Sequence, residues 1–487
     1  MAVVNTGIHR ITYQDLVQMG VDPGAINPAH IRLYGNGGGM LPELNEAFRV
    51  DDLRENPIQV VDGGDGRFDE GDYILFYGEG PDKWYFDNVT KLFYHQKNLF
   101  SDSTYYFFTA DLGPGRRIGV QPSTAAPANS YSRRFDTYAF HDVDQRNLIK
   151  SGRTWYGEVF NNAQQTHAFS FTFPNLDSMS GIRLKTYVAA RAPVTSRFAV
   201  SANGVPVDTI QVEYTEPDSY SVYAKLKIKQ SLINRPGEDV EISLNYLLPV
   251  ENAIGWLNYL ELNCLRNLIW TSPQMAFRDV NSVSPTKITE FVMQGALPGL
   301  VIWEITDPEN INSVEYTLTD SVLKFRLATD TLREFIAFDG SLFHPVTFSG
   351  QVPNQNLHAA DPANLTIVAY PAFFAQAQRL ADFHHATNGI SVNVVTTTDI
   401  FTEFGCGQAD MTAIRDYMKM QYNKSSTVNR PKYLLLFGDG SYDPKNRIPG
   451  NNNLIPTFQS TESLKFIGSY VTDDYFGIMG DKEGQES

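Results

Sequence analysis

The chain has 487 residues, 42% hydrophobic and 19% charged, with 39 Lys and Arg against 55 Asp and Glu and a net charge of −16. A field of that sign repels phosphate backbones and anionic lipid heads, which argues against a nucleic-acid partner. Apolar runs such as 433–437 fall far short of the ~20 residues that cross a bilayer.

A prior of ~150 residues per domain suggests about three domains. The 25 Tyr and 31 Phe, among many Val, Thr and Ile, favour strands. Residues 1–128 read as a mixed or mostly β domain. They open without a basic segment followed by an apolar core, so this chain shows no signal peptide. The segment 15–20 suits a short helix closed by Gly20. Residues 30–34 alternate as a strand and run into Asn36-Gly37-Gly38-Gly39, a turn. No Gly-Lys-Ser/Thr follows, so the cluster is not a phosphate loop. In 62–72, Asp62, Asp65, Asp69 and Asp72 are spaced along a glycine-rich loop, as a hard cation such as Ca2+ requires. The competing reading is a solvated acidic turn, because Tyr73 stands where an EF-hand needs its bidentate Glu.

Residues 129–350 show short strands at a regular rhythm, with Pro, Thr, Ser and the hairpin signal Asn203-Gly204 at the joints. This pattern predicts a β-sandwich of jelly-roll type. Trp155, Trp256 and Trp303 serve a core as readily as a sugar site, and no sugar site is evident.

From 351 to 487 the rhythm changes to strand, helix, strand, helix, strand, the signature of a parallel α/β sheet. Residues 365–370 are apolar enough for a strand buried on both faces. Pro371 starts a helix that Asn388-Gly389 closes, with Phe373, Ala377, Leu380 and His384 on one face. Asp410 caps a second helix, which carries Ile414, Tyr417, Met418 and Tyr422 on one side. The third strand is 433–437, and ligands in such sheets collect beyond the carboxyl ends of the strands.

Two loops rich in Gly and Asp follow, 438–443 and 469–477. Asp439, Asp443, Asp473 and Asp474 suit a metal or the orientation of a catalytic histidine if the loops meet; otherwise they are turn and cap residues. No Gly-x-Ser-x-Gly, His-Glu-x-x-His or Cys-x-x-Cys motif occurs. Cys406 precedes a helix whose dipole can lower a thiol pKa, yet it follows the second strand and is read as structural. Cys264 and Cys406 are expected as two separate buried thiols, and His384-His385 as helix-end residues.

An ordered set of segments resembles the gingipain-type cysteine peptidases, in the form taken by the sortases of type IX secretion. These are 354–358, 379–384, 404–416, Leu434-Leu435-Leu436-Phe437-Gly438-Asp439-Gly440-Ser441-Tyr442-Asp443, 455–457, and Thr472-Asp473-Asp474-Tyr475-Phe476-Gly477. Upstream, 7–11, 34–38 and 65–72 resemble the N-terminal region of the same proteins. The fold so implied is multidomain: a β-rich N-terminal domain and β-sandwich, then an incomplete caspase-like α/β parallel-sheet domain.

The resemblance implies a Cys–His dyad on strands later than 433–437, with the histidine in a Gly-His-Gly-like motif. Neither appears in this chain, so the chain alone is expected to be inactive. The family's Ser/Thr-Asp motif falls on Thr472-Asp473, which makes Asp473 the orienting acid and Asp474 its neighbour. The partners implied are secreted proteins with C-terminal signal domains, an anionic lipopolysaccharide acceptor and other type IX components. The implied location is the cell surface at the outer membrane, with no cofactor. Two other readings stay open: a non-catalytic glycan- or protein-binding surface module, and a secreted gingipain-like protease.

Overall fold

The structure is a computed structural model that describes residues 1–216, 218 and 220–484. In the N-terminal region, Gly7–Thr12 pairs antiparallel with Tyr73–Gly78, which also pairs with Gln59–Val61. The helix Tyr13–Gln18 starts with a capping box, in which the Thr12 hydroxyl accepts from the Asp15 amide and the Asp15 carboxylate accepts from the Thr12 amide. Its buried Leu16 joins Ile11, Leu33 and Phe76 in a local core.

Between 119 and 338 the chain builds two pairs of packed sheets where the strand rhythm predicted one sandwich. The first pair sets Arg134–Asp142, Ile254–Asn267, Ile182–Arg191 and Lys225–Ile233 against Thr166–Thr172, Asp239–Leu247, Ser196–Ala202 and Val205–Val212. Inward residues such as Phe198, Leu244 and Leu260 close its core. The second pair packs around Phe277, Phe291, Phe325 and Phe335. It recruits Gly119–Gln121 and Ser130–Ser132, which pair parallel with Asn312–Val314 and Ile288–Gln294. Alternation marks a strand with one buried face but does not say which sheet faces it, so two sandwiches read as one.

The C-terminal sheet is parallel, ordered Val392–Thr396, Leu365–Ala369, Tyr433–Phe437. The central strand is buried along its whole length, as its apolar run predicts. Helix Phe374–Asn388 covers one face through Ala377 and Ala381. Ala377 and Leu380 lie on the face predicted and Ala381 adds to it, whereas Phe373 is exposed, as are Phe374 and Phe383. Helices Thr397–Phe404 and Met411–Lys424 cover the other face with Ile400, Ile414, Tyr417 and Met418. Gly389, at φ 66°, ends the first helix as expected.

The glycine cluster 37–39 lies where the N-terminal region enters the seam with this α/β unit. A Cβ on Gly38 would sit 1.9 Å from the Gly80 carbonyl oxygen, so only glycine allows that approach. Beyond it, the Leu41 amide donates to Asp410 at 2.8 Å, and Arg49 pairs with Asp416 at 2.5 Å. Asn98 donates to the Gln408 side chain at 2.6 Å. Among the described residues no helix is long and apolar enough to cross a membrane.

Candidate active site

Among the described residues, Tyr433–Phe437 pairs on one side only, with Leu365–Ala369. Along its other side runs an open groove of about 1050 Å3, lined by Leu434, Leu435, Leu436, Thr472, Asp473 and Asp474 among others. The structure therefore brings the third strand and the Thr-Asp-Asp turn together. Asp473 and Asp474 are exposed, while Tyr475 and Phe476 behind them are fully buried. The Tyr475 ring stacks on Phe458 at 4.8 Å, and its hydroxyl lies 2.9 Å from Thr412 Oγ1. The Asp474 amide donates to Thr472 Oγ1 at 3.0 Å. Two solvated carboxylates are thus held on a short turn by two buried aromatic anchors.

A further support was not apparent from sequence. Arg415, wholly buried, lies 4.9 Å over the Tyr475 ring and donates to the carbonyls of Pro42 and Glu43. A charged residue on the helix's predicted buried side, one position after Ile414, was the available signal. Its partners lie 372 and 373 residues away, where no local pattern points.

The other loop behaves differently. Asp439 and Asp443 do not line the groove. Asp443 is fully buried and accepts from the Ile448 amide at 2.7 Å and from Arg447 at 3.4 Å. The Asp439 carbonyl accepts from the amides of Leu454 and Ile455. For this loop, turn chemistry accounts for the aspartates.

Cys264 and Cys406 are both buried and unpaired. The Cys406 sulfur accepts from the Asn36 amide at 3.2 Å and reaches the Tyr105 carbonyl at 3.5 Å. Burial pushes its thiol up to about 12, the reverse of an activated nucleophile. At the helix end His384 is half-buried and His385 is exposed. His358 instead meets Glu403 at 2.5 Å, and the same carboxylate accepts from the Leu357 and His358 amides, tying the linker to the α/β unit.

In the acidic loop, Asp62, Asp65 and Asp72 accept from the amides of Gly64, Arg67 and Asp69 at 3.1, 3.0 and 2.6 Å. These carboxylates, with Asp69 exposed beside them, cap local turns. Among the described residues no three His, Cys, Asp or Glu side chains gather to hold a metal ion.

This parallel sheet, with an acid turn at its free edge, can be set beside known proteins. Residues 358–485 match the model described as Peptidase family C25. The C-terminal part of the chain is thus similar to the C25 peptidases, the gingipain family. Over 99% of its length the chain superposes on dimeric latent PorU from Porphyromonas gingivalis, with a TM-score of 0.83 and 26% identity. The chain spans 46% of that protein's length. The strongly β-rich multidomain architecture, with its C25 match at the C-terminal end, is thus similar to that of PorU, as the sequence resemblance implied. Two CBM36 carbohydrate-binding modules each match 26% of the chain. One, in complex with calcium and xylotriose, is 14% identical over 98% of its own length, with a TM-score of 0.18. The other, from a multidomain xylanase of the Trinervitermes trinervoides hindgut metagenome, is 10% identical over 96% of its length, with a TM-score of 0.17. Superpositions that poor carry no argument. No curated protein sequence matches the chain.

Proposed function

We propose that the chain is the front portion of a PorU-like cysteine peptidase acting at the cell surface on type IX cargo. In this reading the protein removes C-terminal signal domains and joins the cargo to an anionic lipopolysaccharide by transpeptidation. The observation that carries it is the superposition on PorU over 99% of this chain, together with a C25 match whose sheet edge bears the Thr472-Asp473-Asp474 turn.

In the chemistry proposed, a thiolate attacks the scissile carbonyl, the amine leaves with a proton from histidine, and an acceptor amine resolves the thioester. The histidine and cysteine are expected on strands beyond 433–437. What this chain supplies is the acid. Asp473, held at the groove by the buried Tyr475 and Phe476, accepts the second ring N–H of that histidine, fixing its tautomer and stabilising its charged form. The groove beside Leu434–Leu436 is the place where a histidine-bearing strand would pair.

Sequencing the DNA on both sides of this reading frame is the first test. A downstream Gly-His-Gly strand followed by a cysteine strand supports the proposal. Asp473→Asn in the intact protein should then lower kcat for signal removal by ~10² or more while leaving the fold unchanged. Lack of both residues downstream would refute the peptidase reading and favour a binding module. Product analysis with an added amine separates the sortase from a secreted protease: amine-linked product marks transpeptidation, whereas free acid alone marks hydrolysis.

A further inference from the structure

We infer that His95 is a pH-sensitive link between the N-terminal region, the first sandwich and the loop 443–448 of the peptidase domain. The hairpin Lys83–Asp87 and Leu92–Gln96 lies against the outer face of the sheet that contains Ile254–Asn267. On it, the His95 side chain is only 3% exposed. Its Nδ1 lies 2.8 Å from Glu261 and its Nε2 lies 2.9 Å from Asp142. Ionised carboxylates only accept, so with both ionised each ring nitrogen donates and the imidazole bridges them as a cation.

The ion pairs continue in both directions. On one side Lys185 meets Glu261 at 3.6 Å, and the Tyr259 ring stands edge-on to His95 at 4.9 Å. On the other, Lys97 meets both Asp142 and Asp144 at 3.3 Å. Arg447 meets Asp144 at 2.5 Å and Asp443 at 3.4 Å. Four carboxylates, Glu261, Asp142, Asp144 and Asp443, are in contact with four basic side chains, Lys185, His95, Lys97 and Arg447, and Asp82 lies near Lys97 and Asp142.

Loss of the His95 proton takes one positive charge from this row. It also turns a ring lone pair toward a carboxylate within 3 Å, in a site that excludes water. The row then relaxes by letting Lys97 follow the unpaired carboxylate, which loosens Asp144 and Arg447. Burial pulls the His95 pKa down, but the hydrogen bonds to Asp142 and Glu261 outweigh it and raise it above its ordinary value. A base whose folded pKa is raised stabilises the fold below its unfolded pKa and loses that contribution as pH climbs through the folded value. The link is therefore closed in mild acid and opens as pH climbs through the raised His95 value. The stacked pair Trp84–Tyr138, 3.9 Å apart, keeps the hairpin seated when it opens.

The test is amide exchange on the full chain between pH 6 and pH 9, corrected for intrinsic chemistry. The probes are the His95 amide, which donates to Glu261 at 2.9 Å, and the Ile448 amide, which donates to Asp443 at 2.7 Å. Both should exchange about tenfold faster at the upper pH, in the same titration. In His95→Gln the pH step should vanish at both amides. In Lys97→Met it should persist at His95 and vanish at Ile448. Should the glutamine variant fail to fold, the Lys97 variant decides alone. A step that survives His95→Gln overturns the inference, as does an Ile448 amide indifferent to pH in the parent or still stepping in Lys97→Met.

Discussion

Thr412 Oγ1 lies 2.9 Å from the Tyr475 hydroxyl, joining the first turn of helix Met411–Lys424 to the turn that presents Asp473. Both groups are buried, and Arg415 stacks over the same tyrosine ring while holding the backbone at Pro42 and Glu43. Tyr475→Phe should cost about 1 kcal/mol, one buried hydrogen bond. Arg415→Met should cost more, about 2–4 kcal/mol, because it also strips two partly buried carbonyls of their charged donor. Urea unfolding of the two variants against the parent measures both; equal effects would show that Arg415 does not support the turn.

The seam at Gly38 leaves no room for a side chain. Gly38→Ala should destabilise by about 1–3 kcal/mol, since the added carbon would meet backbone oxygen and not a flexible side-chain end. Gly204→Ala, where no atom lies within 4 Å of the added carbon, serves as a comparison in which only the φ of 77° is strained. Thermal melts of the two variants separate steric from dihedral cost.

His9 predicts the behaviour in acid. It is fully buried, its Nδ1 faces the Gly7 carbonyl at 3.1 Å, and its Nε2 has no partner. Burial pulls its pKa down to about 4 from the ordinary 6.5, the bond to Gly7 opposes this, and His344 lowers it further. The unfolded chain therefore takes up the proton first, and stability falls as pH drops from about 6.5 to about 4. This group should contribute about 2–4 kcal/mol of that loss. His9→Gln should flatten the slope of unfolding free energy across this window; an unchanged slope would assign acid sensitivity to other groups.

Neither thiol should react in the folded chain. Ellman's reagent is expected to label none of the native protein and both Cys264 and Cys406 after denaturation, since each is buried with its thiol pushed up to about 12. Rapid labelling of Cys406 in the native state would restore it as a candidate nucleophile.

The α/β unit should not fold by itself. Asp410, Arg415 and Asp416 all bond to residues 41–49, and the free strand edge adds exposed apolar surface. A fragment of residues 354–487 is expected to aggregate or to melt without cooperativity. A sharp calorimetric transition from a soluble monomer would show that the seam is dispensable.

Much of this was open to reading from sequence. Apolar length disclosed the buried strand 365–369, Asp410 and Gly389 marked helix ends, and Asn203-Gly204 marked a hairpin. The ordered motifs pointed to a gingipain-type domain, which the C25 match at 358–485 bears out. These are local signals, in which each residue's backbone preference or hydrogen bond acts within a few positions.

What only the tertiary structure decided was which of these elements meet. The division of the β region into two sandwiches, the exposure of Phe373 where Ala381 is covered, and the burial of Arg415 under residues 42–43 depend on partners far away in the chain. So does the separation of the two acidic loops, one turned inward onto Arg447 and the other opening on the groove with Asp473. An aspartate in a glycine-rich loop looks the same in either place. Whether it caps a turn or faces a reacting group is set by the surfaces that fold against it.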